Sequence, residues 1–218
     1  MTKCKPLVKH IEPHSCYISE SLTQFPLQKL DLPDASICYA PHFFGPEESD
    51  AYFQALEQHI NWQQEHIRMF GRELPMPRLT AWYGDRGYTY SGLYNAPQPW
   101  VPVLQDLKNR VELASGHIYN SVLLNFYRHG NDSMGWHADN ETELGEEPAI
   151  ASLSFGGERR FSLKHRTRKD VEPVHITLSH GSLLLMQGPT QHHWLHDIPK
   201  TKRPVQPRIN LTFRHVKG

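Results

Sequence analysis

Near the middle of the chain, His137 and Asp139 stand two apart in GWHADNE, residues 135–141. On a strand end or tight loop this spacing turns both side chains to one side of the backbone, because the strand period is two. A neutral imidazole beside a carboxylate suits Fe(II), Mn(II) or Zn(II), and a third ligand would complete a facial site with open positions. The pair alone fits a polar surface loop better. QGPTQHHWLHDIP, residues 187–199, offers His192, His193 and His196 as the third ligand. On an extended strand His192, Trp194 and His196 share a face, so spacing leaves the choice between His192 and His196 open.

The last segment, PRINLTFRHV, alternates Arg208, Asn210, Thr212 and Arg214 with Ile209, Leu211 and Phe213. At a surface the polar face would simply be solvated. Turned inward, it presents two guanidinium groups, which bind carboxylates through paired charge-assisted hydrogen bonds. Metal ligands together with an arginine-bearing strand suggest a 2-oxoglutarate-dependent iron enzyme. The keto acid end of the co-substrate would chelate the metal and its far carboxylate would pair with an arginine.

These residues need a scaffold. FFGPEESDAYFQALEQHINW predicts a helix: Pro46 suits its first turn, Glu47, Glu48 and Asp50 favour its positive end, and Tyr52, Phe53, Leu56 and Ile60 recur at helical spacing. WVPVLQDLKNRVELASG predicts a second, with Val103, Leu104, Leu107 and Val111 on one face and Gly116 as its stop. From residue 118 onward IYNSVLLNFY, AIASLSFG, RRFSLKH, VHITL, GSLLLMQ and RINLTFRHV read as short strands. The fold class expected is mainly β with flanking helices (α+β), a sandwich or jelly roll buttressed on one sheet. Residues 1–34 are polar and proline-bearing and are expected to be an irregular extension, with 35–218 forming one domain. Between the helices, GRELPMPRLTAWYGDRGYTYSGLYNAPQPW carries many aromatics for a loop region.

Composition removes some functions. Of 218 residues, Lys plus Arg number 23 and Asp plus Glu number 23, so global charge gives no argument for a nucleic acid partner. No apolar run approaches bilayer length, and the N-terminus lacks the apolar region of a secretory signal. The three cysteines, Cys4, Cys16 and Cys38, form no CxxC pair, which argues against a cysteine zinc site and for a reducing, intracellular compartment, cytoplasmic or nuclear.

NFY at 125–127, HAD at 137–139, the HGSLLLM segment, WLH at 194–196 and PRINLTFR at 207–214, in this order and spacing, make the chain resemble the AlkB family of Fe(II)/2-oxoglutarate dioxygenases from about residue 66 to the end. The resemblance implies a double-stranded β-helix (core about 118–218) with N-terminal helices and a nucleotide-recognition lid (about 66–98). It implies His137, Asp139 and His196 as iron ligands, selecting His196 because it stands twelve residues before Arg208. Arg208, Tyr127 and Asn210 would hold the far carboxylate of 2-oxoglutarate, with Asn125 and Arg214 near the keto acid end. PRLTAWYGD and YTYSG resemble the substrate segment: Tyr90 would stack on the damaged base against His137, with Tyr88 and Glu141 at its polar edge. Phe70, eight residues before Arg78, matches the finger aromatic of duplex-acting members, while HIYNSVLLNFYRH and AIASLSFG are closer to the members that prefer single strands.

The activity implied is oxidative demethylation of bases such as 1-methyladenine and 3-methylcytosine. Fe(II) and O2 would act with 2-oxoglutarate, giving succinate, CO2 and formaldehyde. The partner implied is alkylated DNA, single- or double-stranded, with RNA as an alternative; a monomer is expected. The target atom lies on the pairing edge, so the nucleotide must be flipped out or unpaired. Two basic segments, ERRFSLKHRTRKD (Arg159, Arg160, Lys164, Arg166, Arg168, Lys169) and KTKRPVQPR (Lys200, Lys202, Arg203, Arg208), are candidates for phosphate contact. Competing readings are the same chemistry on a protein substrate, a non-catalytic nucleic acid binder and a zinc hydrolase. The last gives no reason for Arg208 and Arg214 to share a strand face.

Overall fold

A computed structural model describes residues 27–69, 71–90 and 93–217. β1 (Gln28–Leu30) and β2 (Ser36–Ala40) precede α1 (Pro46–His59). Two short ribbons, β3 (His66–Met69) with β4 (Arg72–Pro75) and β6 (Tyr88–Tyr90) with β7 (Leu93–Asn95), flank β5 (Leu79–Gly84). After α2 (Pro102–Ser115) come β8 (Ser121–Tyr127), β9 (Met134–His137), β10 (Ile150–Gly156), β11 (Arg159–His165), β12 (Val174–Leu178) and β13 (Ser182–Gln187). A one-turn helix, α3 (Thr190–His193), then leads into β14 (Trp194–Ile198) and β15 (Arg208–Arg214).

The last eight strands divide between two sheets. β8, β10, β13 and β15 lie in a seven-stranded sheet of order β1-β2-β13-β10-β15-β8-β5, and β9, β11, β12 and β14 form a four-stranded sheet of order β12-β11-β14-β9. All pairings are antiparallel. The chain passes back and forth between sheets, as in a double-stranded β-helix.

Both faces of the larger sheet are covered. Val122 and Leu124 of β8 and Ile209, Leu211 and Phe213 of β15 pack with Leu56, Leu104, Leu107 and Val111 of the helices. The opposite face meets Phe161, Leu163 and Ile176 of the smaller sheet. The helices form where the sequence predicts them. Pro46 opens α1 with Glu47 and Glu48 behind it, and Gly116 ends α2 in the left-handed region, its N–H bonded to the carbonyl of Glu112. No helix among the described residues is long and apolar enough to cross a membrane.

Three elements differ from expectation. The stretch expected to be irregular to residue 34 contains β1, paired with β2 at the edge of the larger sheet. Within the span expected to be the lid, β5 pairs with β8, and Thr80–Gly84 are buried; a strand apolar on both faces belongs in a sheet, not over one. His192 and His193 lie on α3, so strand alternation begins only at Trp194.

The turns that carry the site are tightly fixed. Gly156 has φ +85°, and a Cβ there would strike the Pro207 carbonyl oxygen and the Phe53 ring. Asp132, between β8 and β9, accepts hydrogen bonds from the Arg128 backbone N–H (2.9 Å), Nε (2.8 Å) and Nη2 (3.1 Å). Gly156→Val is expected to destabilise by roughly 2–4 kcal/mol in denaturant unfolding; an unchanged midpoint would mean that the turn relaxes freely. Burial pushes the Asp132 carboxyl up, but the bonds from Arg128 outweigh it and hold the carboxyl below its ordinary value. A depressed carboxylate stabilises the fold above the unfolded value of about 3.9 and stops doing so as pH falls through the lower folded value. Asp132→Asn is therefore expected to lose about 1–2 kcal/mol at neutral pH. Melting curves should show the gap to the parent protein closing in acid below about pH 4. A gap independent of pH would refute this account.

Candidate functional site

Between the two sheets lies a cavity lined from the larger one by Asn125, Tyr127, Ser152, Arg208, Asn210, Thr212 and Arg214, and from the smaller by His137, Phe161 and His196, with Asp139 just beyond β9. Strand alternation explains the selection. On β15 the apolar residues face the helices, so the even-numbered polar residues must point inward. The alternative of a solvated polar face is excluded, since Arg208 is 1% and Arg214 3% exposed.

His137 and His196 are direct partners across β9 and β14. With Asp139, their candidate ligand atoms all lie within 4.8 Å of one another. His137 Nδ1 donates to the Gly135 carbonyl at 2.8 Å. That bond fixes the tautomer with Nε2 bare, the form a metal requires. Burial, with His137 adding to it, lowers the His196 pKa to about 3, which keeps that imidazole neutral. Its ring stacks on Phe161 at 5.2 Å. Asp139 is held from two sides: Arg214 Nη2 donates to Oδ1 at 2.9 Å, and its own N–H donates to Gln191 Oε1 at 2.9 Å. Burial alone would raise the Asp139 pKa, but the Arg214 charge and hydrogen bond outweigh it and bring it to about 2, so the carboxylate is ionised.

Arg208 sits directly opposite Tyr127 in the β15–β8 register, its guanidinium 5.2 Å from the ring centroid. Nη2 donates to Ser154 Oγ at 2.9 Å, while Nε and Nη1 are buried without a hydrogen-bond partner among the described residues. Burial pulls the Arg208 pKa down to about 10. A buried guanidinium with unmet donors is costly unless an anion reaches it, so this end of the cavity suits a carboxylate. Two imidazoles and a carboxylate at one place, and unmet arginine donors at another, fit iron and 2-oxoglutarate.

The remaining expected residues fall as follows. Asn210 lines the cavity, but its amide donates to Ser152 Oγ and the Leu153 carbonyl, both at 2.8 Å, leaving no free donor. Asn125 accepts from Arg78 Nε at 2.6 Å, and Arg78, only 4% exposed, also reaches the Ser133 carbonyl. Arg78 thus braces the cavity wall from behind. Glu141 precedes a short turn and does not line the cavity. Phe70 lies outside the described residues; Tyr88 and Tyr90 fall on β6, and their side chains lie outside them too. Arg160, Arg166, Lys169, Lys200, Lys202 and Arg203 are exposed, as phosphate contacts must be, whereas Arg159 and Arg208 are buried and unsuited to that role. Sequence reasoning missed Ser152, Ser154, Phe161 and Gln191. Ser152 and Ser154 alternate with Ala151 and Leu153 in AIASLSFG, a readable signal of an inward polar face.

A second cluster, Asp34, His165 and His193, also brings candidate ligand atoms within 4.8 Å of one another. Here His165 Nδ1 accepts from the N–H groups of Thr167 (3.3 Å) and Arg168 (3.0 Å). The proton of a neutral ring must then sit on Nε2, which faces Asp34 at 3.3 Å.

The family model of the 2OG-Fe(II) oxygenase superfamily matches residues 36–214. The mouse (Mus musculus) alpha-ketoglutarate-dependent dioxygenase alkB homolog 3 is 46% identical over 191 residues, covering 83% of this chain and 66% of the relative. Mouse DNA oxidative demethylase ALKBH2 is 44% identical over 184 residues, covering 79% and 77%. The Arabidopsis thaliana protein of that name is 36% identical over 229 residues, covering 91% and 72%. This chain therefore spans just under two thirds of the alkB homolog 3 relative. The solved structure of OsALKBH1 superposes with a TM-score of 0.61 at 18% identity, covering 87% of this chain and 100% of that one, a likeness of fold. The cavity's ligand set, the arrangement of its two sheets and the similarity along the chain converge: the chain belongs to the AlkB family of 2-oxoglutarate- and iron(II)-dependent oxygenases.

Proposed function

We propose that the chain is an Fe(II)/2-oxoglutarate-dependent dioxygenase that removes N-alkyl groups from damaged bases such as 1-methyladenine and 3-methylcytosine in DNA. RNA is a second substrate for the same site. The observation that carries this reading is one cavity with His137, Asp139 and His196 at one place and the unmet donors of Arg208 at another. The relatives, a DNA oxidative demethylase among them, favour a nucleic acid substrate. Work on DNA implies an intracellular, cytoplasmic or nuclear, location.

Bound iron, with 2-oxoglutarate and O2, supplies the power to hydroxylate an N-methyl carbon, after which the hydroxymethyl group leaves as formaldehyde. The chain's own contribution is placement. His137, Asp139 and His196 would hold the metal, with Arg214 fixing the Asp139 carboxylate. Arg208 would take the far carboxylate beside Tyr127, with Asn125 and Arg214 near the keto acid end. Asn210 fixes β15 to β10 and shapes the cavity. Leu123, Met134, Leu178, Met186 and Ile198 complete the lining and limit water around the reacting centre. Phe70, Tyr88, Tyr90 and Glu141 are proposed to meet the base, Tyr90 stacking it against His137. Arg78 supports this site through Asn125. A methylated pairing edge weakens base pairing, which lowers the cost of flipping and adds selectivity.

The test is turnover of oligonucleotides carrying one 1-methyladenine or 3-methylcytosine, with Fe(II) and ascorbate, with and without 2-oxoglutarate. DNA and RNA, single strand and duplex, are compared, and repaired base and succinate are read together. Repair is expected to require 2-oxoglutarate, and His137→Ala or Asp139→Ala is expected to reduce it by about 100-fold or more. Succinate without repair would move the search to another substrate. Neither product from folded, metal-loaded protein would overturn the assignment.

A further inference from the structure

Arg159 is the buried cation for which the proposed chemistry has no use. Its residue is 3% exposed. It opens β11 opposite Leu178 of β12, on the inward-facing row with Phe161 and Leu163. Nη2 donates to the Asp132 carbonyl at 2.9 Å and to the Pro199 carbonyl at 2.6 Å. One guanidinium thus ties together β11, the β8–β9 connection and the β14–β15 connection. Its charge is only partly met: the Asp132 carboxylate attracts it but is hydrogen-bonded by Arg128, and Arg159 Nη1 is buried without a hydrogen bond among the described residues.

The same guanidinium lies 5.6 Å from the centre of the Tyr127 ring, and that of Arg208 lies 5.2 Å from the same centre. Tyr127 therefore carries two buried cations over one ring, an arrangement that ring polarisation favours but mutual repulsion opposes. The repulsion is felt, since Arg159 adds to burial in pulling down the Arg208 pKa. Two buried cations around one tyrosine, neither of them fully compensated, favour an anion between or beside them. A single carboxylate arriving at Arg208 would relieve both.

We infer that Arg159 is a positioning residue for the far carboxylate of a dicarboxylate co-substrate, bracing Tyr127 and adding a second positive charge to the subsite that Arg208 contacts. This rests on the co-substrate reading proposed above. It assigns to an interior residue of β11 part of the selectivity for a diacid over a monoacid of the same length.

The experiment compares binding of 2-oxoglutarate with that of 2-oxovalerate, which keeps the keto acid end and chain length but lacks the far carboxylate. Affinities are measured by calorimetry on Mn(II)-loaded protein, which binds without turning over. The variants are Arg159→Met, Arg159→Gln and, as reference, Arg208→Met. Gln keeps amide donors for the two carbonyls without the charge and stands in if the Met variant fails to fold. Arg159→Met or Arg159→Gln is expected to weaken 2-oxoglutarate about tenfold while changing 2-oxovalerate by less than about twofold. In turnover the KM for 2-oxoglutarate should rise similarly, with kcat at saturation held within about twofold. Equal weakening of both acids would make Arg159 a structural brace only, and no change in either would remove it from the subsite; both outcomes overturn the proposal. If Arg208→Met also leaves 2-oxoglutarate binding unchanged, the co-substrate reading itself fails, which separates the two failures.

Discussion

The structure depends on keeping charge inside a barrel. β15 carries Arg208 and Arg214 into the space between two sheets, where each guanidinium is almost fully shielded from water. Burying an ion costs several kcal/mol even after relaxation, so each needs a counter-charge or a dense set of acceptors. Arg214 has its answer within the protein, the Asp139 carboxylate at 2.9 Å. Among the described residues Arg208 has Ser154 and Tyr127 beside it and no carboxylate. One strand thus delivers an internally balanced arginine and an unbalanced one, three residues either side of Leu211. The balanced arginine secures a candidate metal ligand; the unbalanced one creates demand for an anion.

Rigidity follows from what surrounds that strand. β15 is flanked on both sides, by β10 and β8, with paired registers along its whole length. Its apolar face is pinned against α1 and α2 through Ile209, Leu211 and Phe213. A site built on a central, doubly paired strand holds its geometry better than one carried on loops. The metal-binding side is less constrained. β9 is the edge of the smaller sheet, and its register with β14 shifts between the His196 and Ile198 pairings. β9 ends at His137, and the chain beyond it turns Asp139 inward, where a continued strand would have run along the edge.

How much of this was legible in the sequence follows from which interactions are local. Helix starts and stops are set by neighbouring residues, and Pro46 and Gly116 mark them directly. The polar–apolar alternation of residues 208–214 announced a strand with a chemical face, and only the direction of that face awaited the fold. The choice of His196 over His192 was not local. Extended geometry makes the two equivalent, and the resemblance to a family selected one; α3 then supplies the physical reason, because a helical turn at residues 190–193 breaks the alternation. Arg159 shows the opposite failure. Its neighbours Arg160, Arg166 and Lys169 are exposed, and composition grouped it with them. Its burial is fixed by carbonyls from residues 132 and 199, far away in the chain, which no local pattern encodes.

The two histidine–carboxylate clusters carry that lesson into chemistry. Each has two imidazoles and one aspartate with candidate ligand atoms inside 4.8 Å, so composition and distance do not separate them. The second bond of a histidine ring in each does. At His137 the acceptor is a carbonyl, which demands a proton on Nδ1 and leaves Nε2 bare for a cation. At His165 two backbone N–H groups demand a bare Nδ1, which forces the proton onto Nε2, toward Asp34. A metal at the second cluster would have to displace that proton and leave the ring as an anion. The same residue types therefore form a ligand set in one place and a clasp between the β1–β2 connection and the end of β11 in the other. The backbone, through the direction in which it offers its own hydrogen bonds, decides which is which.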